Sequence, residues 1–365
     1  MPASRHYITV LRLPLAVGVV FIHAQQGALP RGVAPMHLGL VEQLRWWLSS
    51  ALPSLAVATF FIIAGFLFFQ GYTPQQGLRF FLRKWHKRLR TLLLPYLLWN
   101  LLKFLQLWGK HGWDSFASHW RRVEGFNFLW GEHTIGRPDG GFWGLPLGSF
   151  DAPLNVPLWF VRELMIFLLL SPLLLPLLRR KWLALGVLLL LFALYGLYAL
   201  PYPLGISLRS LPMFALGAAV ALQQGDLYAP LRRWRWPILT TYVVLLLLQW
   251  SGHSSQVLLL LSTATGIGSY FVLAGSAVEV CGPPSRRLSS LAAGSFLIYA
   301  AHTVGVLGSS IWLVKHYLPG TSLLHQSLHY LLPPLLCTAV LLLAFVLLRR
   351  FLPRWSAPLT GVWER

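Results

Sequence analysis

The chain has 365 residues, 56% of them hydrophobic and only 11% charged, and its 30 Lys and Arg against 10 Asp and Glu give a formal charge of +20. Soluble domains carry roughly a quarter charged residues, so this composition excludes a soluble globular protein and describes an integral membrane chain. It also excludes nucleic acid as a partner, because the cations stand in short blocks between apolar runs instead of clustering on one soluble face.

A helix that crosses about 30 Å of hydrocarbon needs about 20 apolar residues, and fewer where its ends are buried in protein. About ten such runs are read: 6–24, 51–70, 89–108, 156–178, 181–199, 207–223, 237–250, 256–277, 290–314 and 328–350, the seventh being the shortest. The expected fold is all-α, a polytopic membrane helix bundle forming a single membrane domain over 1–365. The first run follows Arg5 and resembles a secretory signal in outline, but Arg12 and His23 inside it, with many spans after it, mark a retained helix. Cys281 and Cys337 do not make a disulfide framework, and no metal is expected.

Orientation follows the basic residues. The blocks at 79–90, 179–181, 232–235, 286–287 and 349–354 fall on alternate connections, which places those connections and both termini in the cytoplasm. Glu42, Asp114, Glu124, Glu132, Asp139 and Asp151 all fall on the opposite side. The one long connection, 109–155, lies outside and is rich in Trp, Gly and His; a loop of that length among short ones is functional or covers something.

Ionisable residues within apolar runs are costly and by default mark a functional path. Arg12 and His23 are eleven positions apart, which puts them ~20° apart on one helical face and ~16 Å apart along it. Threading the topology places Arg12 in the inner leaflet and His23, Arg162, Glu163 and Arg209 towards the outer one, with His302 near mid-membrane. A single outer-leaflet site containing His23, Arg162, Glu163 and Arg209 is the economical reading. Each has a structural alternative: a His satisfying backbone carbonyls, an Arg162–Glu163 ion pair, an Arg209 that snorkels to the headgroups, and core hydrogen bonding for His302 and Tyr299. The basic block containing Lys87, Arg88 and Arg90 suits either anionic lipid or the phosphates of a cytoplasmic donor.

Several stretches together resemble the acyltransferase 3 family of membrane acyltransferases. They are Arg12 with His23 at its Arg-x10-His spacing, the segment 60–66 ending Ala64-Gly65-Phe66, Lys87-Arg88-Leu89-Arg90 leading to Pro95-Tyr96, and 157–164 containing Trp159, Arg162 and Glu163. Leu208 to Pro212 with Phe214 to Gly217, then Ser295 to Tyr299 followed by His302, complete the order. The chain departs from the pattern in three places: Ala64 stands where the family has a serine, Lys87 where its first arginine is usual, and Leu13-Pro14 after Arg12 where small residues are common. No appended esterase-like domain, such as some members carry, is expected within these residues.

The resemblance implies transfer of an acyl group, most often acetyl, from acetyl-CoA or another acyl-CoA to a hydroxyl of a cell-surface or envelope glycan. The setting it implies is a multi-pass protein of the bacterial inner membrane, in contact with lipid. His23 is then the general base or transient acyl carrier, Arg12 holds the donor or stabilises developing charge, and Glu163 orients His23 or binds acceptor hydroxyls. Arg162, Arg209, Trp159, His302 and Tyr299 would bind acceptor or oxyanion, and Lys87, Arg88 and Arg90 the donor. Trp113, Trp120, Trp130 and Trp143 of the outer connection either stack on sugar rings or form an interfacial belt. A transporter or flippase for a glycan or lipid-linked anion is the competing reading, against which no paired repeats of broken helices are visible.

Overall fold

The computed structural model describes residues 6–25, 29–30, 32–122, 127–131, 133–135, 150–197, 200 and 206–362. In chain order the elements begin with α1 (His6–His23), α2 (Leu40–Arg45), α3 (Ala56–Phe69), α4 (Gly77–Arg88), α5 (Leu94–Arg122) and α6 (Asn127–Trp130). Strands β1 (His133–Ile135) and β2 (Phe150–Ala152) follow, then α7 (Trp159–Leu178), α8 (Lys181–Gly196), α9 (Leu211–Leu222) and α10 (Arg235–Trp250). The chain ends with α11 (Gln256–Cys281), α12 (Arg286–Ala293), α13 (Ser295–Ala301), α14 (Leu307–Tyr317), α15 (Leu323–Phe351) and α16 (Pro353–Thr360).

Among the described residues, six segments are long and apolar enough to cross a membrane: His6–His23, Leu40–Phe69, Val156–Leu178, Gln256–Cys281, Arg286–Tyr317 and Leu323–Phe351. Lys181–Gly196 and Leu208–Leu222 are apolar but shorter. Three features differ from the sequence expectation. Helix α5 runs on to Arg122, so the long 109–155 connection begins as helix. That connection also holds a two-stranded antiparallel hairpin, with Thr134 opposite Asp151, which adds a small β element to the helices among the described residues. Thirdly, the ninth run is broken: His302–Val306 is a π-helical turn in which Val304 and Gly305 leave helical geometry, and Gly305 takes φ 86°, a region open to glycine because it has no Cβ.

The chain divides into two compact units. The first comprises Met1–Thr59 and Leu227–Arg350. Its α1 buries Ile8, Leu11, Leu15 and Val19, a stripe at helical spacing, and packs against α11, α12 and α13. At its start, the Tyr7 hydroxyl accepts the Leu227 backbone N–H at 3.2 Å, and the Tyr7 ring meets Tyr228 and Phe271 with centroids 5.9 and 6.2 Å away.

The second unit comprises Phe60–Asp226 and Phe351–Arg365. Here α3 and α9 touch backbone to backbone: a Cβ on Gly65 would overlap the Phe214 carbonyl oxygen, and one on Gly217 would overlap that of Ile62. Small residues allow such an approach in lipid, where packing has to replace the hydrophobic drive. Beside them lies an aromatic core of Phe61, Phe68, Phe69, Phe80, Phe167 and Phe214, all buried. Helix α4 is amphipathic, with Phe80 and Phe81 buried and Arg79, Arg83, His86 and Lys87 exposed.

Candidate functional site

In the first unit α1 is one continuous helix despite Pro14, so Arg12 and His23 keep the shared stripe and the ~16 Å axial spacing read from sequence. Arg12 is half-buried, whereas His23, at the last position of α1, is exposed. Its imidazole lies against that of His302, ring centroids 5.0 Å apart and planes inclined by 51°. His302 is fully buried at the start of the π-helical turn. Its Nδ1 is 3.1 Å from the Ile298 carbonyl oxygen, which also accepts the His302 backbone N–H. A carbonyl only accepts, so Nδ1 carries the proton, and Nε2 is the basic nitrogen of the neutral ring. Tyr299 is buried in the preceding turn.

In the second unit Arg162 and Glu163 are both buried near the start of α7, and Arg162 Nη2 stands 3.9 Å from Glu163 Oε1. Their principal partners are elsewhere. Arg162 donates through Nη1 to the Trp130 carbonyl and through Nη2 to that of Asp151 at 2.7 Å, tying the end of α6 and strand β2 to α7. The Arg162 guanidinium carbon also sits 5.1 Å from the Trp130 ring centroid. Glu163 Oε1 accepts the Ser207 backbone N–H at 2.7 Å, which holds the segment leading to Arg209. The Arg209 guanidinium carbon is 4.6 Å from the Tyr195 ring centroid. Trp159 is half-buried, its ring centroid 6.4 Å from that of Phe61.

The basic block occupies α4 and the π-helical turn Leu89–Leu93, with Lys87 and Arg90 exposed and Arg88 half-buried. Lys84, which sequence reasoning passed over, is drawn inward: its Nζ lies 5.2 Å from the Phe80 ring centroid and 5.9 Å from that of Phe68. Burial, followed by the charges of Arg88, Lys87 and Arg83, lowers its pKa to about 8. Among the four tryptophans of the 109–155 connection, Trp130 is partly exposed on α6. Trp143 and the side chains of Trp113 and Trp120 lie outside the described residues.

Other polar residues missed by the sequence reading are buried in apolar segments. Asn100 Oδ1 accepts the Asn155 backbone N–H at 3.0 Å, and Ser49 hydrogen-bonds with Tyr330 at 2.7 Å. A polar side chain inside an apolar run was the available signal, but Ser and Tyr are too common in such runs to stand out.

The family described as Acyltransferase domain matches residues 5–356, nearly the whole chain. The chain belongs to the acyltransferase 3 family. Among curated proteins, the acyltransferase is 28% identical to the succinoglycan biosynthesis protein ExoH of Rhizobium meliloti (strain 1021), over 97% of this chain and 91% of that protein. No solved structure matches it significantly. Family and apolar segments together make it an integral membrane acyltransferase. For such an enzyme, an accessible imidazole backed by a buried one is suited to taking a proton from a hydroxyl or to carrying an acyl group.

Proposed function

We propose that this acyltransferase moves an acyl group, acetyl in the first instance, from acyl-CoA to a hydroxyl of a cell-surface or envelope polysaccharide. The observation that carries the reading is the exposed His23 imidazole set against His302, whose tautomer is fixed by the Ile298 carbonyl. The polysaccharide class is supported by the relative named for succinoglycan biosynthesis.

As the acceptor oxygen attacks the acyl carbonyl carbon, His23 takes the hydroxyl proton and the CoA thiolate leaves, later to be protonated. In the relay form, a His23 nitrogen attacks first and the carbon–sulfur bond breaks to release the CoA thiolate; the acceptor hydroxyl then attacks the acyl-imidazole, losing its proton as the carbon–nitrogen bond breaks and the free imidazole returns. Arg12 holds the donor or the developing negative charge within the path. Lys87, Arg88 and Arg90 bind the donor phosphates. Arg162 has two nitrogens committed to the Trp130 and Asp151 carbonyls, so its part in acceptor binding is to hold Trp130, while Arg209 and Trp159 face acceptor hydroxyls. Glu163 acts through the Ser207 segment. The topology proposed is about ten crossings of the bacterial inner membrane with both termini cytoplasmic.

The test is mass spectrometry of envelope glycans from cells with and without the protein, and with His23→Ala or Arg12→Ala. Loss of a positioned base lowers transfer by ~10²–10⁴-fold. Wild-type acylation in both variants would overturn the assignment. Purified protein given labelled acyl-CoA separates the two forms of the mechanism: a label on His23 without acceptor supports the relay, and glycan movement without acyl-CoA indicates a transporter instead.

A further inference from the structure

We propose that Ser49 and Tyr330 are a positioning pair that fixes the last turn of α1 and therefore the attitude in which His23 is presented. This rests on the reading of His23 as the reacting imidazole. Ser49 belongs to a π-helical turn, Trp46–Ala51, and is completely buried. Its hydroxyl donates to the Phe21 carbonyl oxygen at 2.5 Å, two residues before His23. The same Ser49 oxygen lies 2.7 Å from the Tyr330 hydroxyl. A serine hydroxyl has one hydrogen, and the carbonyl has taken it. The direction of the chain is therefore settled: Tyr330 donates to Ser49, and Ser49 donates to Phe21. Hydrogen bonds linked head to tail polarise and strengthen one another.

The acceptor is the right atom for such control. Phe21 is in the last turn of α1, where helical carbonyls lose their partners, and its oxygen also receives a 3.2 Å contact from the Ala24 N–H. Without Ser49 this turn is free to fray or tighten, and either movement turns the His23 ring away from His302. Tyr330 is in turn held on both sides. Its ring meets the Phe21 ring edge-on at 6.1 Å, and the Arg45 guanidinium carbon lies 5.9 Å from its centroid. On α15 the prolines Pro333 and Pro334 follow at three and four positions, and since neither has an N–H, neither can donate the i→i−4 hydrogen bond back to the turn that carries Tyr330. Two π-helical turns thus act on one helix end, one through the backbone of Phe21 and one through the ring of His302. Such turns recur at functional sites because they redirect side chains without ending a helix.

The experiment measures steady-state transfer from labelled acetyl-CoA to envelope polysaccharide isolated from cells lacking the protein, using the purified full chain. A displacement of about 1 Å at a reacting group costs up to ~10²-fold. Tyr330→Phe keeps the ring and deletes only the hydroxyl, so kcat should fall about 10-fold with KM for both substrates unchanged; Ser49→Ala should fall further, to ~10²-fold. Ser49→Thr, which keeps the hydroxyl, should restore most of the rate. Because the two residues act in series, the double variant should be no slower than Ser49→Ala alone. Wild-type kcat in Tyr330→Phe and Ser49→Ala, additive losses, or losses appearing in KM would each overturn the proposal. His23→Ala in the same assay separates the failures: wild-type kcat there sinks the reading of His23 itself.

Discussion

Lys84 is the cation of the basic block on α4 whose charge is most exposed to experiment. Packed on Phe80 and Phe68 and surrounded by Arg83, Lys87 and Arg88, it has a pKa of about 8, well below the ordinary lysine value near 10.4. The neutral form is thus favoured on folding. Between pH ~8 and ~10.4 the unfolded chain binds more protons at this residue, and its contribution to stability rises with pH. Catalysis should run the other way. If α4 holds the donor phosphates, KM for acyl-CoA rises as the pH passes 8 and Lys84 loses its charge, while Lys84→Arg keeps KM level over that range. A KM independent of pH from 7 to 9 in the wild-type enzyme would count against Lys84 as a donor contact. Arg12, His23, Glu163 and His302 could all be found in the sequence because charged or titratable groups are conspicuous in apolar runs. Lys84 could not, since nothing in a basic block distinguishes the member that turns inward.

At the scale of elements, the α3–α9 crossing explains two of the stretches that carry the family likeness. Gly65 and Gly217 are where each helix lies against a carbonyl of the other, and backbone offers no rotamer by which to yield. Gly217→Val should therefore destabilise the protein by on the order of 3 kcal/mol or prevent its accumulation. A thermal unfolding midpoint equal to wild type in detergent would show that the two helices can separate without cost. Most helices could be placed from hydropathy, because a span of about 20 apolar residues is a local property. The break at His302–Val306 could not: a window average over 290–314 is blind to one turn, and Gly305 reads as any other glycine until its φ is known. The hairpin was hidden for a similar reason, since three residues per strand give no readable alternation.

For the whole molecule, the two cysteines provide a native test of orientation. Cys281 is exposed at the end of α11, on a connection that the basic residues assign to the cytoplasm, and Cys337 is buried within α15. A membrane-impermeant maleimide should label Cys281 only after the cells are permeabilised, Cys337 in neither case, and Cys281→Ser should abolish labelling. Labelling of Cys281 in intact cells with an opened outer envelope would invert the topology. The sequence by itself determined that this is a helical membrane protein, that it resembles the acyltransferase 3 family, and which ionisable residues are out of place in lipid. Each of these follows from composition, from runs of about 20 residues, or from spacings within one helix. Only the tertiary structure decided that His302 meets His23, and that Tyr330 reaches Ser49 from 281 positions away. Those pairings depend on how distant helices pack and where π-helical turns rotate them, and periodicity within one segment does not encode the rotation of another.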